Sequence, residues 1–269
     1  MNGIKILHES PMCFMDEIQK LTDGDYCLPH LMDSHEEYKK FFMNAKEQGR
    51  YIMMDNSLHE LGVPYSDERL LYWLQALKPD EFFIPDFWED KTASLVSAKK
   101  WSQIQYGFPD ITFIAVVQAK SYAEALECYQ IYKDLGYKKI AFSYGASYYN
   151  EICSHPDKDL GKAIGRLTVI SKLFSDGIIL PSDKIHLLGT ACPSEFSWYK
   201  DMPFIESLDT SNPVMLGIEE ICYPNNLNVS KPKANMNSYF DKELNELQKE
   251  YISFNVDYFR EFLGLQSKI

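Results

Sequence analysis

Closely spaced cysteines are absent from this sequence. Six cysteines are scattered along the chain: Cys13, Cys27, Cys128, Cys153, Cys192 and Cys222. None of them forms a C-x-C or C-x-x-C pair, which argues against a structural zinc site and against a disulfide framework. We therefore expect reduced, mostly buried thiols. Neither a metal ion nor an organic cofactor is predicted.

Long apolar runs and nucleotide-binding glycine motifs are also missing. No apolar run approaches the roughly 20 residues that a transmembrane helix requires. The first ten residues, MNGIKILHES, lack the basic and apolar regions of a secretory signal peptide. No G-x-G-x-x-G or G-x-x-x-x-G-K-(S/T) motif follows a predicted strand, so neither a dinucleotide site nor a P-loop is expected. These absences predict a cytoplasmic protein without a membrane partner.

Positive charge is scarce. The chain has 27 Lys and Arg residues against 39 Asp and Glu, a formal net charge of −12. A large nucleic-acid footprint needs local Lys and Arg to bind phosphates, and overall acidity slows non-specific association. Net charge alone therefore favours an enzyme that acts on a small molecule, although it leaves a local basic groove open.

The sequence does contain a regular alternation of strand and helix patterns. With 45% hydrophobic residues, the chain can bury a large core. Short apolar, β-rich runs predict eight strands: Ile4–Leu7, Tyr26–Pro29, Tyr51–Asp55, Glu81–Pro85, Thr112–Gln118, Lys139–Tyr144, Lys184–Gly189 and Phe204–Asp209. Most are separated by segments long enough for a helix, which indicates a mostly parallel sheet. Eight such units favour a closed (β/α)8 barrel over an open doubly wound sheet.

The helix patterns complete this α/β prediction. Helices are predicted at Ser121–Leu135, Asp159–Phe174 and Phe240–Leu263, among others. Ser121 and Glu124 form a capping-box pattern at the start of the first of these. Residues 223–238 are rich in Asn, Lys and Pro and predict a long loop. We therefore predict a single barrel domain over residues 1–269, in which residues 223–269 form this loop and a C-terminal helix.

Polar residues collect at the carboxyl ends of the predicted strands, where a barrel of this kind holds its active site. In chain order they are His8, His30, Asp55, Asn56, Asp86, Gln118, Ser143 to Gly145, Thr190 and Asp209 to Asn212. An Asp after a strand often caps the next helix, but Gln118 at the end of FIAVVQ has no such explanation. Several carboxylates at one mouth suit chemistry at a sugar carbon. A glycosidase and an aldolase-like enzyme fit this pattern equally well.

Four segments between about residues 50 and 215 carry a family resemblance through their order and spacing. They are Met53 to Ser57 (MMDNS), Phe83 to Asp86 (FIPD), Val116 to Gly145 with its VVQ, LGY and IAFSYG motifs, and His186 to Pro193 (HLLGTACP) followed by Ser207 to Ser211 (SLDTS). In these segments the chain resembles the tRNA-guanine transglycosylase superfamily. The resemblance is strongest to its phage and bacterial DNA-modifying branch, the DpdA-type 7-deazaguanine DNA transglycosylases.

This resemblance implies an enzyme that replaces guanine in a nucleic acid with a 7-deazaguanine such as preQ0. It implies that Asp209 is the nucleophile, which attacks C1′ of a guanosine and forms a covalent glycosyl-enzyme intermediate. Asp55 would be the general acid/base, protonating the departing guanine and then deprotonating the incoming base. Substrate-binding roles fall on Asp86, Gln118, Asn56, Ser143, Tyr144 and Gly145.

The sequence also departs from the family's pattern. The C-x-C-x-x-C zinc site and the basic C-terminal RNA-binding additions of the tRNA enzymes are missing, and Ser143-Tyr144 replaces paired glycines. These departures favour DNA over tRNA as the partner, with the target guanosine extruded or the strand opened. Candidate phosphate contacts are Lys99, Lys100, Lys231 and Lys233. Analogy with the family also allows a homodimer.

Other functions remain open at this point. A metal-dependent barrel hydrolase could use His8, His30, His59 and Asp86 as ligands of a divalent ion. A tRNA-directed transglycosylase would share the chemistry but not the polymer. A glycoside hydrolase would act on free sugars. A non-enzymatic partner subunit would have lost the nucleophile, whereas this chain retains Asp209 together with Asp55, Asp86 and Gln118.

Overall fold

The eight predicted strands are confirmed in the computed structural model, which describes residues 3–225, 232 and 236–269. They are β1 (Lys5–Leu7), β2 (Asp25–Cys27), β3 (Ile52–Met54), β4 (Glu81–Phe83), β5 (Thr112–Val117), β6 (Lys139–Ser143), β7 (Ile185–Leu188) and β8 (Ile205–Asp209). All paired strands are parallel, in the order β1-β8-β7-β6-β5-β4-β3-β2. With β1 and β2 at the two ends of the ladder, the chain forms a nearly closed (β/α)8 barrel, as predicted.

Helices alternate with these strands along the chain. They are α1 (Met15–Leu21), α2 (Pro29–Ser34), α3 (Glu36–Glu47), α4 (Leu58–Leu61), α5 (Asp67–Ala76), α6 (Lys91–Ile104), α7 (Tyr122–Asp134), α8 (Tyr149–Ile152), α9 (Lys158–Ser175), α10 (Asn212–Ile218), α11 (Met236–Tyr239) and α12 (Glu246–Phe262). Short 3₁₀ turns lie at Met12–Phe14, Gln105–Gly107, Pro193–Tyr199 and Tyr223–Asn225. None of the helices in the described residues is long and apolar enough to cross a membrane.

Three boundary predictions need correction. The second strand ends at Cys27 because Pro29 begins α2, where the fixed φ of proline suits the first helical turn. The C-terminal helix begins at Glu246 rather than at Phe240, because Asn245 and Gln248 form a capping box there. Within the predicted loop at 223–238, Tyr223–Asn225 and Met236–Tyr239 are helical, and residues 226–231 and 233–235 lie outside the described residues.

The capping box predicted for α7 forms only in part. The Glu124 N–H donates to Ser121 Oγ at 3.2 Å, as expected for an N-cap serine. The Glu124 carboxylate, however, accepts the N–H of Lys120 at 2.8 Å instead of that of Ser121. The helix start was thus located correctly from the serine, while the second half of the motif was wrong.

An ion pair fills the amino-terminal end of the barrel interior. Lys139 at the start of β6 is fully buried and donates to both carboxylate oxygens of Glu81 at the start of β4, at 2.9 and 2.6 Å. Its Nζ also lies 3.0 Å from a Glu206 carboxylate oxygen. Because side chains alternate along a strand, Lys139, Ala141 and Ser143 share the inward face of β6. The salt bridge therefore occupies the interior at the amino-terminal end of the barrel, and Ser143 lies at the opposite, carboxyl end of β6.

The C-terminal helix packs closely on the barrel. A Cβ atom at Gly217 of α10 would lie 2.6 Å from the backbone nitrogen of Ile252 in α12, so only glycine allows the two helices this close together. Only two residues, Thr210 and Ser211, separate β8 from α10, and α12 therefore supports the segment that follows Asp209.

Candidate active site at the carboxyl ends of the strands

A pocket opens at the carboxyl ends of the strands. Its walls include Tyr26, Asp55, Asn56, Asp86, Trp88, Gln118, Ser143, Tyr144, Gly189, Thr190 and Asp209. Seven of the eight predicted site residues are among the residues that line it, and the eighth, Gly145, lies behind the Trp88 ring. The three predicted carboxylates, from the ends of β3, β4 and β8, thus meet in one pocket.

The turn after β3 holds the Asp55 carboxylate in place. Ser57 adopts a left-handed backbone conformation (φ 62°), which is strained for a residue with a side chain. In this conformation its N–H donates to Asp55 Oδ2 at 3.0 Å. Its hydroxyl pairs with Nδ1 of His30 at 2.7 Å. His30, predicted at a strand end, therefore lies in α2 and supports the turn that carries Asp55.

Two side-chain amides clamp Asp86. Asn56 Nδ2 donates to Asp86 Oδ1 at 2.7 Å, and Gln118 Nε2 donates to Asp86 Oδ2 at 2.6 Å. Asn56 Nδ2 also donates to the Ile84 carbonyl at 2.8 Å, and Gln118 Oε1 accepts the Glu89 N–H at 2.9 Å. Since both amides are engaged in this way, they orient Asp86, and the Asp86 carboxylate is the main acceptor that this cluster presents to a ligand.

Asp209 at the end of β8 is held through one of its oxygens. His186 Nε2 lies 2.8 Å from Asp209 Oδ1, and the Gly189 N–H donates to the same oxygen at 3.2 Å. His186 Nδ1 lies 2.7 Å from Ser207 Oγ. A neutral His186 that donates from Nε2 and accepts the Ser207 hydroxyl at Nδ1 satisfies both contacts. Both of these hydrogen bonds end on Oδ1, so within the described part of the chain Oδ2 stays available to a ligand.

Burial sets the electrostatics of the pocket. It raises the pKa of Asp55 to about 7, with the Asp86 and Asp209 carboxylates adding to the effect. It also raises the pKa of Asp86 to about 6, while hydrogen bonds from Gln118 and Asn56 oppose the rise. The described residues that line the pocket include no Lys or Arg to offset this effect. Asp55 therefore titrates near neutral pH, the range in which a side chain is best suited to both give and take a proton.

A buried ion pair supports the strand ends behind Asp209. Arg166 of α9 donates to both carboxylate oxygens of Glu195 at 2.7 and 2.8 Å, and both side chains are buried. The guanidinium also donates to the carbonyls of Phe142, Leu188 and Gly189 at 2.9 to 3.1 Å. Arg166 thus ties the end of β6 to the end of β7 and positions the peptide whose N–H binds Asp209.

Asp55→Asn is expected to stabilise the fold at pH 8. The pKa of Asp55 is 3.8 when solvated and about 7 in the fold, so stability falls as pH rises through that interval. Asparagine keeps an acceptor for the Ser57 N–H without the charge. We expect a higher urea midpoint than wild type at pH 8 and no gain near pH 4. The exposed substitution Asp110→Asn is the control, and equal Asp55→Asn and wild-type midpoints at pH 8 would contradict the raised pKa.

Three predicted candidates within the described residues, Lys99, Lys100 and His8, are not among the residues that line the pocket. Lys100 in α6 pairs with Asp67 on the surface, and Lys99 lies on the same helix. Lys231 and Lys233 lie outside the described residues. The His8 Nδ1 contacts the Thr210 carbonyl at 2.5 Å.

The side chains considered as metal ligands for the hydrolase alternative are not gathered into a metal site among the described residues. Across the described ranges, no group of three or more His, Cys, Asp or Glu side chains is arranged to hold a metal ion. His8, His30, His59 and Asp86 therefore do not form the ligand set that the hydrolase alternative required.

Sequence reasoning missed Tyr26, His186, Trp88, Arg166 and Glu195 as parts of the site. Strand periodicity could have placed two of them on strands of the barrel wall: His186 lies on β7 opposite Ser207 of β8, and Tyr26 is the central residue of β2. Burial raises the pKa of Tyr26 well above 10, so its phenol stays protonated beside the carboxylates. The ion pair of Arg166 and Glu195 joins residues that no local pattern connects.

The fold and the site together define a class of protein: a (β/α)8 barrel with a buried three-carboxylate pocket at the carboxyl ends of its strands. Neither a scan of protein-family models nor a search of curated proteins finds a match to this chain. Its function is therefore inferred from the pocket itself and from the sequence motifs.

Proposed function

We propose that this protein is a base-exchange transglycosylase that replaces guanine in a nucleic acid, DNA in preference to tRNA, with a 7-deazaguanine. The observation that carries the proposal is the difference among the three pocket carboxylates. Asp209 is held through one oxygen, Asp55 titrates near pH 7, and Asp86 is clamped by two amides. This arrangement supports a nucleophile, an acid/base and a binding group in one pocket.

The first half of the reaction uses Asp209 and Asp55. Asp209 Oδ2 attacks C1′ of the target guanosine, and the glycosidic bond to guanine breaks as the glycosyl ester forms. Asp55 gives its proton to the departing guanine. The donors from His186 and Gly189 stabilise the negative charge on Asp209 and hold it in the attacking orientation.

The second half reverses these steps with a different base. The incoming 7-deazaguanine loses its N9 proton to Asp55, its N9 attacks C1′, and the ester to Asp209 breaks. Asp55 is thereby protonated again for the next cycle. Asp86 accepts N–H groups on the edge of each heterocycle, since its carboxylate oxygens can accept further hydrogen bonds beside those from Asn56 and Gln118.

The rate of guanine release should fall as pH rises above about 7. The pKa of Asp55 is raised to about 7, and the first half-reaction needs Asp55 in its protonated form. We expect kcat/KM for the guanine-containing polymer to fall about tenfold per pH unit above that value. Guanine release measured from pH 6 to pH 9 checks this. A rate of guanine release that does not change with pH would show that Asp55 is not the general acid.

The function itself is tested by incubating the protein with guanine-containing DNA, or separately with tRNA, and 7-cyano-7-deazaguanine. The polymers are then digested to nucleosides and analysed by mass spectrometry. We expect a modified deoxynucleoside from DNA. Modification of tRNA alone would keep the chemistry and change the polymer, whereas no exchange in either polymer would contradict the proposal.

A further inference from the structure

Trp88 is an exposed aromatic side chain at the rim of the pocket. It lies two residues after Asp86, lines the pocket and is 48% exposed. The other tryptophans differ from it: Trp73 and Trp101 are buried, and Trp198 is partly buried and does not line the pocket. A large aromatic ring left open beside a polar pocket is typical of a contact site for a ligand.

The indole ring rests on the protein through its edge. A Cβ atom at Gly145 would lie 2.1 Å from Trp88 Cη2 and 2.7 Å from Cζ2, so the benzo edge of the ring abuts the glycine backbone. At position 145, no residue other than glycine would allow the ring to approach the backbone this closely. A contact made through the edge does not itself cover the faces of the ring, and these are the surfaces on which planar ligands stack.

The backbone next to Trp88 is fixed. Glu89 has a left-handed conformation (φ 48°), and its N–H donates to Gln118 Oε1 at 2.9 Å. The Glu89 carboxylate accepts the N–H of Ser147 in the loop after β6. Trp88 is therefore already positioned before a ligand binds, which lowers the entropic cost of stacking on it.

We propose that Trp88 stacks on the heterocycle that occupies the pocket, so that Asp86 binds the edge of the base and Trp88 covers one face. This inference rests on the proposed function and adds a residue that selects planar, purine-like bases. The described residues lining the pocket offer no Lys or Arg to attract a ligand by charge. Stacking and edge hydrogen bonds are then the main sources of affinity, and stacking on an aromatic residue changes affinity by about 5- to 150-fold.

Tryptophan fluorescence tests the contact directly. Titration with 7-cyano-7-deazaguanine should quench the emission of wild type and of the control variant Trp198→Phe, which keeps Trp88. It should leave the emission of Trp88→Phe unchanged, because none of the remaining tryptophans is among the residues that line the pocket. Equal quenching in Trp88→Phe, or no quenching in wild type, would overturn the proposal.

Kinetics separate stacking from a purely structural role. Trp88→Leu should raise KM for the incoming base by about tenfold or more, while Trp88→Phe, which keeps a ring, should stay within about threefold of wild type. An unchanged KM in Trp88→Leu with exchange intact would refute stacking and leave the proposed function standing. Quenching through Trp88 without any exchange would support stacking and refute the proposed function.

Discussion

Replacing Asp209 by asparagine is expected to reduce base exchange by at least about a thousandfold, since loss of a catalytic nucleophile can cost about 10⁶-fold in kcat. Asparagine keeps the size of the side chain and an oxygen that accepts hydrogen bonds from His186 and Gly189. Its amide cannot form the glycosyl ester that the mechanism requires. Mass spectrometry of nucleosides from DNA treated with 7-cyano-7-deazaguanine measures the loss.

The control for this prediction is Asp110→Asn, which removes an exposed carboxylate just before the amino-terminal end of β5, outside the pocket lining. It should exchange bases at the wild-type rate, and both variants should unfold cooperatively. Wild-type exchange by Asp209→Asn would show that another group attacks C1′.

Arg166→Met is expected to destabilise the fold by about 3 to 5 kcal/mol, because it leaves a buried carboxylate without its cation. Arg166 and Glu195 are both buried and joined by two hydrogen bonds. The substitution also removes donors from the carbonyls of Phe142, Leu188 and Gly189. Urea denaturation of the purified variant measures the change in the free energy of unfolding.

Two further variants test whether the loss of stability comes from the buried charge left unpaired. The double substitution Arg166→Met with Glu195→Leu should recover much of the lost stability, since no buried charge is then left unpaired. Lys172→Met, which breaks the surface pair with Asp176, should change stability little. A wild-type urea midpoint for Arg166→Met would contradict the importance of the buried pair.

The barrel could be predicted because its signals are local. Each strand lies in a short apolar, β-rich run, and most are followed by a segment long enough for a helix. Boundaries failed where a single residue overrode the pattern, as Pro29 did by starting α2 and Asn245 did by delaying α12. The incomplete capping box at Glu124 had a similar cause, because a competing N–H lay within reach of its carboxylate.

The side chains that line the pocket at the strand ends could be predicted from the sequence, but the contacts that hold them could not. Asp55, Asp86 and Asp209 follow apolar strands, and parallel strands bring their carboxyl ends together. The contacts that distinguish the three carboxylates depend on pairing between elements. His186 reaches Asp209 because β7 and β8 are neighbours, and Arg166 reaches the strand ends from α9. Such contacts follow from the packed fold and have no signature in local sequence.

The proposed mechanism requires a covalent bond between Asp209 and the sugar of the nucleic acid. Denaturing mass spectrometry of the protein incubated with a guanine-containing oligodeoxynucleotide, without added base, tests it most directly. The mechanism predicts a species with the mass of protein plus oligonucleotide minus guanine, absent from Asp209→Asn. If neither this species nor its counterpart with tRNA forms, and neither polymer exchanges its guanine, the transglycosylase mechanism is wrong.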